Sequence, residues 1–70
     1  MELKVLFKAD SLEDITNQII NFFGQLIKIE KEERSIFASY RLYHAGKKFI
    51  PQLWSYRIVY KGGKYHFGKI

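Results

Sequence analysis

Two hydrophobic periods alternate along this chain, and each change of period marks an element boundary. Residues 2–8 alternate with period two: Leu3, Val5 and Phe7 share one face, Glu2, Lys4 and Lys8 the other, and Leu6 is out of step. That is a strand pattern. At Asp10-Ser11 the period lengthens. Ser11 is a helix-capping residue, and Asp14, three positions on, makes a capping-box-like arrangement and complements the positive end of the helix dipole. Wound as a helix, Leu12, Ile15, Ile19, Ile20, Phe22, Phe23, Leu26 and Ile27 form one apolar arc broken only by Thr16. Glu13, Asp14, Asn17, Gln18, Asn21, Gln25 and Lys28 lie opposite. The helix is expected over 11–23, because Gly24 accepts the left-handed conformation that closes helices. Residues 25–31 then form a further strand, with Ile27 and Ile29 on one face. The uninterrupted arc supports a competing reading, a helix reaching Lys28; the break at Gly24 is the favoured one.

Lys31-Glu32-Glu33-Arg34 reads as a solvated turn. Residues 35–43 alternate again, with Ile36, Ala38, Tyr40 and Leu42 facing one way and Phe37, Ser39, Arg41 and Tyr43 the other. A helix over 30–45 competes through the stripe Ile29, Ile36, Tyr40 and Tyr43, but it turns Leu42 away from that stripe, and β-formers dominate the segment. His44 to Gln52 is a loop, and Pro51 excludes a central-strand position there. Residues 53–61 and 64–69 form a hairpin around Lys61-Gly62-Gly63-Lys64, since glycine accepts the positive φ of primed turns. That turn pairs Tyr60 with Tyr65 and Ile58 with Phe67. Trp54, Tyr56, Ile58, Tyr60, Tyr65 and Phe67 then form the core side, with Ser55, Arg57, Val59, Lys61, Lys64 and His66 on the other. The expected fold is α+β, a single small domain of order β-α-β-β-β(-β), with one amphipathic helix packed on one face of a mostly antiparallel sheet.

Composition sharpens this picture at two points. With 70 residues and no cysteine, neither disulfides nor thiolate metal sites stabilise the domain, and its core rests on a dense apolar set that is 17% aromatic overall. Charge is the second point. All seven acidic residues fall within 1–33, which sums to −3, whereas 34–70 sums to +8 and holds nine of the twelve aromatics. Uncompensated cations attract polyanions. No stretch approaches a membrane span and the N-terminal apolar segment is too interrupted for a signal peptide, so a soluble, cytoplasmic protein is expected.

If the strands pair in sequence order, Phe37, Arg41 and Tyr43 share a face with Arg57, Lys61, Lys64 and His66. Cations there neutralise phosphates, and rings stack on unpaired bases. Lys47 and Lys48, after Gly46, extend the patch, and glycine amides in that loop and in Gly62-Gly63 can add an anion-binding concavity. A plain solvated face and an ordinary hairpin turn are the bland alternatives. Only three of the twelve basic residues are arginine, which argues for backbone contacts with weak sequence specificity. Phosphate-loop, zinc-finger and RNA-recognition signatures are absent. His44 and His66 are the only histidines, with no acid near either in sequence, so no catalytic constellation, metal or cofactor is expected. The helix's outer side, Asn17, Gln18, Asn21 and Gln25, carries no charge and is a possible protein interface or homodimer surface. Some of the many aromatics are expected to stay exposed as a further binding patch.

These features lead to a small basic non-enzymatic module that binds nucleic acid or a nucleoprotein through its basic and aromatic C-terminal sheet. The alternative is a protein-binding regulator or inhibitor, of the kind encoded by phages and mobile elements, that docks its basic face on an acidic or nucleic-acid-binding surface of a partner.

Overall fold

The computed structural model describes residues 3–33 and 38–70. The elements run β1 (Lys4–Ala9), α1 (Leu12–Phe23), β2 (Ile27–Lys31), β3 (Ala38–His44), the short 3-10 turn η1 (Leu53–Ser55), β4 (Tyr56–Lys61) and β5 (Lys64–Lys69). All strand pairs are antiparallel, in the order β1-β5-β4-β3-β2, and α1 packs against one face of that sheet. This is the α+β architecture read from the pattern. No helix among the described residues is long and apolar enough to cross a membrane.

Local chemistry sets both helix ends. Ser11 Oγ accepts the Asp14 N–H at 3.1 Å, satisfying one of the donors that a helix start leaves unpaired. Gly24 closes the helix at φ 70°, its N–H donating to the Ile20 carbonyl at 2.8 Å. The helix therefore ends at Phe23, not Lys28. Ile27 reaches the core from β2 rather than from the helix, and Leu26 is left exposed.

The core centres on Ile15 and Ile19 of α1, Ile58 of β4 and Phe67 of β5, none of which retains accessible surface. Leu42, Ile27 and Leu53 complete it. Phe67 is the aromatic hub: Phe7 stacks on one side with centroids 4.8 Å apart, and Tyr56 lies parallel at 5.4 Å. Phe23 meets Tyr56 edge-on at 5.3 Å. The hairpin register is the expected one, Tyr60 opposite Tyr65 and Ile58 opposite Phe67, and both turn glycines have positive φ.

Three expectations need correction. Leu3 and Val5 do not share a face with Phe7. A β-bulge between Val5 and Phe7 sets Val5 opposite Gly68 and Phe7 opposite Phe67, so the out-of-step Leu6 marks an extra residue that reverses the facing of the strand. Trp54 is not core. Ile50-Pro51-Gln52-Leu53 forms a turn with Leu53 N–H on the Ile50 carbonyl and φ 61° at Gln52, and the chain then winds as a 3-10 turn before extending. Three residues per turn replace alternation there, which sends Leu53 inward and Trp54 out, with 69% of its surface accessible. Tyr60, also assigned to the core side, stays exposed near the hairpin tip. The segment Ser35-Ile36-Phe37, expected to open the third strand, lies outside the described residues.

Candidate functional site

Among the described residues, α1 and the η1 segment cover one face of the sheet, and the opposite face is open. Cross-strand partners fix what that face displays, because residues directly opposite in an antiparallel pair share a side. Glu30 faces Arg41, Arg41 faces Arg57, Val59 faces His66, Lys61 faces Lys64, and Lys8 faces His66 from β1. Arg41, Tyr43, Arg57, Lys61, Lys64 and His66 thus lie on one side as expected. Phe37 falls outside the described residues.

The face has two electrostatic halves. On the β2–β3 side its cations are matched. Glu32, just beyond β2, places Oε1 2.8 Å from Arg57 Nε and 4.0 Å from Arg41 Nε; the shorter contact is an ion pair rather than an aligned hydrogen bond. Arg57 also donates to the carbonyls of Trp54 and, at 2.8 Å, Tyr56, and its side chain is only 13% accessible. Lys28 pairs with Glu30 at 2.9 Å, and that hydrogen bond, then the charge itself, holds the ammonium above its ordinary pKa. The expectation that nothing neutralises the basic half of the sequence is therefore wrong on this side. Antiparallel pairing returns the acidic β2 end to the arginines of β3 and β4. Arg57 is a structural cation, and Arg41 is the more exposed of the two.

On the β1–β5–β4 side the one ion pair among the described residues is that of Lys64 with Asp10. A groove of about 1450 Å³ runs across it, lined by Lys4, Lys8, Lys61, Lys64 and Lys69, and none of the described residues lining it is acidic. Asp10 touches Lys64 at 3.6 Å from outside the groove. Leu3, Val5, Val59 and Ile70 supply an aliphatic floor, with His66 among them. Lys61 and Lys64 are direct cross-strand partners on this face; Lys4 and Lys69 also oppose each other, but Lys69 lies opposite Tyr56 as well, so that pair borders the groove from the helix side of the sheet. Like charges so placed repel. Reading the sequence alone missed Lys4 and Lys8, because pairing in sequence order sets β1 beside β2 rather than β5, and Lys69, because alternation along β5 puts it on the side of Phe67. The available signal was the lysine pattern of residues 4–8.

The remaining candidates separate. Lys47 and Lys48 are exposed on the loop after β3, at the other end of the face from the hairpin. Asn17, Gln18 and Asn21 are exposed on α1, away from the groove. Gln25 does not belong with them: beyond the Gly24 stop its side chain turns inward against Gly46, where a Cβ would come within 2.7 Å of Gln25 Oε1. Gly46 thus packs against a neighbouring side chain, and an added Cβ would oblige Gln25 to shift. Among the described residues no group of three or more histidine or acidic side chains is placed to hold a metal ion.

A second concavity lies where β3 outruns β4. The pair is registered only from Ala38–Tyr60 to Arg41–Arg57, so Leu42 to His44 have β2 on one edge and η1 with its preceding loop on the other. The depression there, about 410 Å³, is lined by Arg41, Tyr43, His44, Phe49 and Trp54 above Leu42, Ile50 and Leu53. Searches against protein-family models, curated proteins and solved structures find no match to this chain, so the geometry of this face carries the functional argument.

Proposed function

We propose that the protein is a small non-enzymatic module that binds nucleic acid through phosphate contacts in the lysine groove between β1, β5 and β4. The observation that supports this reading is the pairing of Lys61 with Lys64 directly across strands, with Lys8 on the same face, in a groove whose described lining holds no carboxylate. Such a pair costs stability in the free protein, and a polyanion relieves the repulsion while releasing its own counterions. Lysine acts as a point charge rather than a forked reader of base edges, so weak sequence preference follows.

Fluorescence-anisotropy titration of labelled single- and double-stranded DNA and RNA across a salt series tests it. The three groove lysines of the open face, Lys8, Lys61 and Lys64, predict a log–log salt slope of about −2.7 on duplex and about −2.1 on single strands. Lys61→Gln/Lys64→Gln flattens that slope by about 1.4 to 1.8, and Lys61→Glu/Lys64→Glu abolishes binding at near-physiological salt. Unchanged affinity in the glutamate pair overturns the proposed surface.

One observation favours a second reading. The aliphatic stretch of Leu3, Val5, Val59 and Ile70 in that lining suits the apolar ridge of an acidic amphipathic protein segment with lysines at its rim. Saturable capture of one protein, without affinity for free DNA or RNA, selects that reading, in which the protein regulates or inhibits its partner.

A further inference from the structure

We infer that the depression between β3 and η1 is a stacking site for one unpaired nucleobase, which makes the ligand single-stranded; this rests on the nucleic-acid reading of the lysine groove. The rings that line it include the two most exposed aromatics among the described residues. Phe49 is 77% accessible and Trp54 69%, and Tyr43 is exposed beside them. A small domain does best to bury such side chains, and three together in one concavity form a patch that calls for a ligand.

The backbone beneath these rings is held, although the rings themselves are open. Ile50 N–H donates to His44 Nδ1 at 3.4 Å, and Phe49 stacks on the His44 ring with centroids 4.9 Å apart and 28° between planes. The loop is thereby folded back onto the end of β3. Trp54 sits in a turn fixed by Ser55 Oγ on the Gln52 carbonyl, Ile70 N–H on the Ser55 carbonyl, and Arg57 on Trp54's own carbonyl. Rings whose backbone is already ordered lose little freedom when a flat ligand binds.

Size and charge then select the ligand. A depression of about 410 Å³ lies at the lower end of the roughly 300–1,000 Å³ of small-ligand clefts. It admits a base with its sugar rather than a helix of a partner protein. None of its described lining residues is acidic, Arg41 stands at its edge, and Lys47 and Lys48 follow on the loop that carries Phe49. Aromatic faces beside exposed cations are the combination that holds unpaired bases and their phosphates. A paired base hides its faces in the duplex, so the site discriminates strand state rather than sequence.

Trp54 is the only tryptophan in the chain, so its fluorescence reports this site alone. The experiment titrates the full chain with mixed-sequence oligonucleotides of about twelve nucleotides, as single-stranded DNA, single-stranded RNA and the DNA duplex. Labelled strands report total binding by anisotropy, and unlabelled strands report Trp54 emission. Single strands are expected to quench Trp54 at the concentrations where anisotropy rises, while the duplex leaves it unchanged. Phe49→Ala weakens single-strand affinity roughly 5- to 150-fold and spares duplex affinity, and Trp54→Ala does the same by anisotropy, with Trp54→Phe restoring much of the loss. Both side chains are exposed, so the fold survives their removal. The DNA and RNA arms distinguish which strand supplies the base. Binding by anisotropy with no Trp54 response and no preference for single strands overturns the stacking site and leaves the lysine groove standing. Absence of any anisotropy change overturns both.

Discussion

Gly68 shows how one residue admits a whole strand. A Cβ built there meets the Lys4 carbonyl well inside van der Waals contact and comes 2.9 Å from Leu3 Cγ, so β1 docks beside β5 only because the side chain is absent. Its φ is not in the left-handed region, and close approach alone explains the glycine. Gly68→Ala is expected to cost about 1–3 kcal/mol, as overpacking against backbone does, and urea unfolding measures it. The same variant loosens Lys4 and Lys8 from the groove and so lowers oligonucleotide affinity. Neither effect was legible beforehand, since Gly68 in the sequence is just a small residue between Phe67 and Lys69. The need for it arises from a strand more than fifty positions away.

At the scale of elements, what could be read was what local chemistry decides. Ser11 starts the helix, Gly24 stops it, and Gly62-Gly63 sets the register of β4 on β5. Each depends on neighbours within a few residues. Ser11→Ala removes the acceptor for the Asp14 N–H, and is expected to cost about 1 kcal/mol. For a domain of this size that is a fall in Tm of roughly 4–8 °C, measurable by circular dichroism. What could not be read depended on partners far along the chain. Alternation alone does not say that Leu6 is an extra residue, because a bulge is defined by the opposing strand. Likewise Trp54 follows Pro51 closely enough that the 3-10 turn displaces it, and a period-two reading started too early puts it in the core. The candidate site was legible in the same measure. Lys61, Lys64 and His66 follow from the hairpin, whereas Lys4, Lys8 and Lys69 join them only through the β1–β5 pairing.

At the scale of the whole molecule, the fold redistributes the charge that the sequence separates. The acidic half returns through β2 to the arginines, so Glu32 quenches the field at Arg41 and Arg57 while the lysine groove keeps its own. This arrangement sets stability against affinity at one residue. Glu32→Gln leaves the Arg57 guanidinium, 13% accessible, without its carboxylate, and the expected loss is about 1–3 kcal/mol of stability. The same change frees positive potential on the open face, between the lysine groove and the aromatic depression, and raises affinity for an oligonucleotide at low salt. Glu13→Gln on α1 is the control, because it alters net charge equally from the covered side of the sheet. If the face binds the polyanion, Glu32→Gln strengthens binding more than Glu13→Gln does, and the difference shrinks as salt screens it. Equal gains from both mean that net charge, not this face, governs association, and the assignment of the open sheet as the binding surface then fails.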